Sequence, residues 1–316
     1  GKVVFVPHNA DKVGVFDPAT DTFATVGPTI SGSAKYLGGV LLPSGKVLLV
    51  PYSADKVVLF DHATETFSRV GPTISGSSKY FGGVLLPSGK VVFVPCAADK
   101  VGVFDPASDT FTAVGPTISG TYLGGVLLPN GKVLCVPHQA DKVGMFDPAT
   151  DTFTTVGAAI PGRNYKYAGG VLLPSGKVML VPNSADRVGV FDPVTDTFTA
   201  VGPTISGDWN YEGGVLLPSG KVVCVPRNAD LVGIFDPATD TFSTVGDANP
   251  GSTVGDADPE KYSGGVLLPN GKVVFVPSSM TTLGVFDPGN AEPAYTVSGG
   301  VPDTWRALLS PHFNKK

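Results

Sequence analysis

The sequence is poor in most of what a catalytic, nucleic-acid-binding or membrane-spanning reading needs. Charged residues make up only 16% of its 316 positions, and 22 basic against 27 acidic side chains leave a net charge of −5. A sequence-independent phosphate binder carries a basic excess, so the balance argues against nucleic acid as a partner. There are four histidines, and no pair of them has the spacing of metal ligands. His8 and His138 fall in equivalent loops of different repeats, and His62 belongs to the opposite face, so neither a metal site nor a cofactor is expected. The three cysteines are an odd number and too few for a disulfide framework. Cys135 and Cys224 take a strand position filled elsewhere by Phe5, Leu49, Phe93, Leu180 and Phe275, and read as small buried apolar residues. Cys96 sits in a loop. No apolar run approaches the ~18 residues of a membrane span, and no strand-like run reaches the ~10–12 that favour a helix.

What the chain has in quantity is glycine (41), proline (29) and repetition. Gly-Lys-Val recurs at residues 1, 45, 89, 131, 176, 220 and 271, and Phe-Asp-Pro at 16, 104, 146, 191, 235 and 286, with Phe-Asp-His at 60. A unit of about 44 residues has too little core to stand alone and must stack on its neighbours. Each unit reads as four short strands. In the second, Tyr36–Pro43 is an apolar run closed at Ser44-Gly45, Lys46–Pro51 is a β-branched strand, Lys56–Phe60 a third and Thr66–Val70 a fourth. Four antiparallel strands per unit predict a β-propeller blade. A solenoid would want polar end caps and fewer strands per unit.

The termini predict closure of a ring. Residues 1–30 lack a first strand, and Trp305–Pro311 resembles a lone first strand. The expectation is a single all-β domain over 1–316: a seven-bladed propeller with four antiparallel strands per blade. Blade 1 (1–30 plus 303–313) is completed by the C-terminal strand, which leaves no open edge. Blades 2 to 7 are placed at about 36–74, 80–118, 122–160, 167–205, 211–246 and 262–298.

The run LLPSGKVLLVP, with VFDPATDTF, resembles kelch-type repeats of the galactose-oxidase-like propellers. It is similar, more loosely, to YVTN-type and lactonase-like seven-bladed propellers. The resemblance implies the propeller fold. The Gly-Gly pair departs from the kelch pattern by lying in the first strand rather than ending the second, where Val50-Pro51 and Val94-Pro95 stand. Galactose-oxidase-like chemistry would imply a copper site of Tyr and His, which four scattered histidines do not supply.

Repeated residues are explained by the fold, so the positions where the copies differ are the ones that bear on function. Asp11, Asp55, Asp99, Asp141, Asp186 and Asp230 are expected to hold turns by accepting backbone N–H groups. Tyr36, Tyr80, Tyr122, Tyr167, Tyr211 and Tyr262 are expected to pack between blades. After each Tyr the residue reads Leu37, Phe81, Leu123, Ala168, Glu212 and Ser263, with Arg306 at the matching place in the closing strand. Glu212 and Arg306 stand out, as do the loops Arg163-Asn164-Tyr165-Lys166 and Asp208-Trp209-Asn210. Together these residues make the predicted binding mouth, at the channel and inter-blade loops. The longest loop, from Gly246 to Lys261, duplicates itself internally and carries Asp247, Asp256, Asp258 and Glu260, suited to a basic partner or to Ca²⁺, although it has no EF-hand spacing. The sequence is read as a non-catalytic binding or scaffold propeller that holds a protein or a glycan on this face and is suited to a place in a larger assembly. The alternative is an enzyme, a lactonase-like hydrolase or a lyase, with Glu212, Arg306 and Arg163 around the channel.

Overall fold

The computed structural model describes residues 1–162, 164–246, 260–280, 282–289 and the strand 295–297. Blade 1 contributes β1 (Val3–Phe5), β2 (Val13–Asp17) and β3 (Thr22–Val26). Blade 2 contributes β4 (Tyr36–Leu41), β5 (Val47–Pro51), β6 (Val57–Asp61) and β7 (Thr66–Val70), paired in sequence order as an antiparallel meander. The same four-stranded meander recurs in five more sheets, giving seven blades in all. The ring is closed by packing: one apolar cluster joins Val274, Val276 and Leu283 of blade 7 to Val3, Phe5 and Val13 of blade 1 and to Leu49 and Phe60 of blade 2. The strand predicted to complete blade 1, with Trp305 and Arg306, lies outside the described residues.

Each blade is layered by what its strands face. The second strand is buried throughout, as in Val47–Pro51, because neighbouring blades cover both sides of it. The fourth strand alternates exposed and half-buried, as in Thr66–Val70, because it forms the rim. The repeated Tyr is core: Tyr80 lies against Phe93 and Phe111, with centroids 5.6 and 5.9 Å away. Burial pushes the hydroxyls of Tyr36 and Tyr80 up to about 12. Cys135 and Cys224 are fully buried among such side chains.

The Gly-Gly pair does two jobs. Its first residue, Gly213 in blade 6, has a φ of +85° and sits in a β-bulge between the Tyr211–Pro226 and Gly214–Cys224 pairs. The bulge re-aims the residue before it, here Glu212, towards the axis. Leu37, Phe81, Leu123 and Ala168, from four different blades, consequently meet in one cluster. The second glycine admits the neighbouring blade. A Cβ on Gly214 would stand 2.7 Å from a methyl of Val171 and 3.0 Å from one of Val181.

On the opposite face, the Asp of Phe-Asp-Pro caps its own turn: Ala19 N–H donates to Asp17 Oδ1 at 3.0 Å. Lysines of Gly-Lys-Val pair with these carboxylates, for example Lys221 with Asp236 at 3.2 Å. The Ala-Asp loops work differently from expectation. It is the backbone carbonyl of Asp11, Asp55, Asp99, Asp141 and Asp186 that accepts an N–H, from Ile30, Ile74, Ile118, Ile160 and Ile205. Their carboxylates project into solvent, so the main chain holds these loops.

Candidate functional site

Three positions per blade converge on the mouth of the channel, and each is placed by the repeat. The first is the bulge residue just described. The second follows the proline that ends each second strand: His8, Tyr52, Cys96, His138, Asn183, Arg227 and Ser278. Its backbone is held from two sides. In blade 4, the His138 N–H donates to Thr121 O, and His138 O accepts from Lys166 N–H of the next blade at 2.9 Å. Because these main-chain bonds hold the position, the side chain can differ from blade to blade. Tyr52 and Cys96 pack against the axial cluster, so this second ring borders the channel.

The third position lies two residues before each first-strand Tyr, where the backbone is left-handed: Ala34, Ser78, Gly120, Tyr165, Trp209 and Glu260. Small residues occupy it in blades 2 to 4. Tyr165 at φ +66° and Trp209 at φ +59° carry large rings in a conformation that non-glycine residues seldom adopt. Such backbone strain persists where the surroundings over-determine it, and it gathers at binding sites.

The three rings make the mouth unequal around its axis. Blades 2 to 4 present Leu37, Phe81 and Leu123, with Ala168 of blade 5 beside them. Blades 6 and 7 present a polar cluster. Glu212, 1% exposed, accepts from Arg227 Nη1 at 2.8 Å and from Ser263 Oγ at 2.5 Å. Arg227 Nη2 donates to Glu260 Oε1 at 2.5 Å, and the guanidinium lies 4.5 Å from the ring centroid of Trp209. That is a desolvated cation–π contact on top of a charge-assisted pair.

An aromatic wall connects the two halves. Tyr165 and Trp209 stand 4.4 Å apart, and His138 lies 5.1 and 5.9 Å from them. His138 Nδ1 donates to the carbonyl of Tyr167 at 3.0 Å, since a carbonyl can only accept, which leaves Nε2 as a bare lone pair. Burial draws the imidazole down to about 4, with Arg227 and Lys166 acting the same way against the Tyr167 bond and Glu212. His138 is therefore neutral at physiological pH. The unfolded chain takes up this proton near 6.5 and the folded chain only near 4. Stability tied to His138 is thus complete above pH 6.5 and falls between 6.5 and 4. In a pH series of thermal melts, His138→Gln should flatten that acid slope, and an unchanged slope would contradict the assignment.

Of the residues singled out in the sequence, Glu212, Trp209, Tyr165 and Glu260 come together here. Lys166 and Asn210 sit beside the mouth but face away from it. The buried Lys166 Nζ donates to Ala140 O at 3.2 Å and lies 3.6 Å from Asp141 Oδ1. This is the place that Lys35, Lys79 and Lys261 fill in their blades, where an ammonium is matched to loop carbonyls. Asn210 likewise donates to Gly207 O at 3.1 Å. Asp208 is exposed on the loop above. Arg163, Arg306, Asp247, Asp256 and Asp258 lie outside the described residues. Among the described residues, no three His, Cys, Asp or Glu side chains gather as a metal site, and no helix is long and apolar enough to cross a membrane. Sequence reading did not single out Arg227 and Ser263, the partners of Glu212, or Asn183, which bonds the Tyr211 carbonyl. A groove at the junction of blades 1 and 2 holds Lys35, Tyr36 and Arg69. Its charges are matched internally, Arg69 to Asp55 at 2.6 Å and Lys35 to backbone carbonyls.

No family model matches the chain, and no curated protein matches it in sequence. Solved structures do share its fold. A streptogramin B lyase superposes with a TM-score of 0.71 at 16% identity, over 87% of this chain and 86% of the other. Virginiamycin B lyase from Staphylococcus aureus superposes at 0.70 with 12% identity, over 98% and 92%. A catalytically inactive histidine-to-alanine variant of the same enzyme was solved with quinupristin. A functionally unknown protein from Desulfotomaculum acetoxidans superposes at 0.73 with 15% identity, over 98% and 99%. At such identities the likeness shows the seven-bladed fold alone. It agrees with the looser, lactonase-type resemblance and leaves the kelch resemblance unconfirmed.

Proposed function

We propose that this propeller is a ligand-binding protein whose site is the channel mouth, and that it holds a ring-bearing small molecule such as a glycan unit. The observation that supports this most is the Tyr165–Trp209 pair, two rings in close, tilted contact kept in left-handed backbone beside a buried Arg227. A site that concentrates aromatic area, an apolar floor and a few fixed polar groups has the make-up of a small-molecule pocket. The flat, dispersed surface of a protein scaffold has a different make-up.

The test is a thermal-shift and tryptophan-fluorescence screen against mono- and oligosaccharides and small lactones. A ligand at 100 times its Kd adds about 2.7 kcal/mol of stability. Trp209→Ala should weaken that ligand at least about tenfold, from the loss of roughly 1.5 kcal/mol of ring contact. Equal binding by the variant would remove the mouth as the site, and a blank screen would favour a protein partner.

A second reading, a lyase, is favoured by one feature: His138 offers a neutral imidazole with an unpartnered Nε2 at the mouth. A general base needs that protonation state at pH 7. The virginiamycin B lyase neighbour is itself inactive as a histidine-to-alanine variant. Turnover of any ligand found in the screen, lost in His138→Ala with binding kept, would select this reading.

A further inference from the structure

Two adjacent blades present the same unusual arrangement. In blade 4, His138 uses its Nδ1–H on the carbonyl of Tyr167, the first residue of the next blade's inner strand. In blade 5, Asn183 uses its Nδ2–H on the carbonyl of Tyr211, at 2.9 Å, in the matching register. Each side chain thereby stitches one blade to the next with its donor and is left holding an acceptor. With Nδ1 of His138 used on Tyr167, Nε2 is the lone pair left over, and Oδ1 of Asn183 has no hydrogen-bond partner although the residue is 0% exposed. A buried acceptor without a donor, as at Asn183 Oδ1, is costly and rare.

The surroundings sharpen the mismatch. The charges that act on His138 are Glu212, Arg227 and Lys166, and the guanidinium of Arg227 is already matched by Glu212 and Glu260. Lys166 is turned to Asp141 and Lys261 to Asp230. The Ser263 hydroxyl is committed to Glu212. Ala168, the smallest side chain of the axial ring, belongs to the same blade as Asn183 and is followed around the ring by Leu123, Phe81 and Leu37.

We propose that the mouth selects a ligand whose polar head donates hydrogen bonds, an ammonium or a hydroxyl, to His138 Nε2 and Asn183 Oδ1, while its apolar body lies over Leu37, Phe81 and Leu123. An anionic head meets two lone pairs and finds Arg227 and Lys166 already paired, so it is disfavoured. This rests on the mouth being a ligand site, and it adds the chemical class of the ligand.

The experiment uses three probes with one body and different heads: 2-phenylethylamine, 2-phenylethanol and 3-phenylpropionate. Affinity is read by calorimetry and position by NMR of the Asn183 side-chain amide, the His138 ring and the Trp209 indole. The expected result is that the amine and the alcohol both shift these signals and bind at least tenfold tighter than the carboxylate. Carboxylate binding as tight as the amine, with the same signals shifted, would overturn the donor rule and leave the mouth as a site. No shift with any probe would overturn both. Asn183→Leu and His138→Phe should each reduce the preference for the amine over the carboxylate at least threefold in a protein that still melts cooperatively. A preference unchanged in either folded variant would also overturn the rule.

Discussion

Gly169→Ala should lower the unfolding free energy by roughly 3 kcal/mol, a large loss for one methyl group. Gly169 has a φ of +94°, which alone costs a side-chain-bearing residue about 1–2 kcal/mol. The added Cβ would stand 3.0 Å from Gly213 Cα and 3.2 Å from Gly213 N of the next blade. Those are main-chain atoms of an inner strand and have no rotamer to escape into, so a blade must move. Gly45→Ala is the matched control. It shares the positive φ, +83°, but nothing lies within 4 Å of its Cβ. It should lose only the conformational part, about 1 kcal/mol. Urea denaturation of the two variants measures the difference directly, and equal losses would mean that the inner strands are not in backbone contact.

That contrast also shows how the fold was readable and where reading stopped. The Gly-Gly pair, the Pro-ended strands and the Ser-Gly turns repeat in register, so composition and spacing led to four strands per blade and seven blades. Close approach at the axis was legible in the glycines themselves. The bulge was not, because an extra residue in one strand leaves no compositional mark; it shows only as the shift between the Tyr211–Pro226 and Gly214–Cys224 pairs.

The site divides in the same way. Glu212, Trp209 and Tyr165 were visible because each breaks a run of similar residues. Arg227, Asn183 and His138 were harder to see, since the position after the second-strand proline is different in almost every copy and offers no consensus to violate. The signal was that variability itself: a constant Val-Pro followed by His, Tyr, Cys, His, Asn, Arg and Ser. Main-chain bonds fix the place, so the side chain can differ from blade to blade. Lys166 shows the converse. It stands out within its divergent loop, yet three other blades carry a lysine at the same place, bonded to loop carbonyls.

Arg227→Met should cost about 3 kcal/mol or more, because it strands the Glu212 carboxylate, 1% exposed, with Ser263 as its remaining donor. Glu212→Leu in the same chain should recover most of that loss. The new leucine would extend the apolar ring of Leu37, Phe81, Leu123 and Ala168, and replacing a buried pair by apolar residues of similar volume is often neutral. Glu260, the other partner of Arg227, has a side chain 42% exposed, so losing the guanidinium leaves its charge in water. The double-variant cycle, read by urea denaturation, therefore isolates the buried pair, and losses that simply add would show that the two residues act separately. Ligand binding should not follow stability. The double variant regains its fold but still lacks the cation lying 4.5 Å from Trp209, so the indole loses the contact that holds it over the mouth. Recovered stability with affinity still reduced places Arg227 in the site as well as in the scaffold. Recovery of both would reduce it to a part of the scaffold.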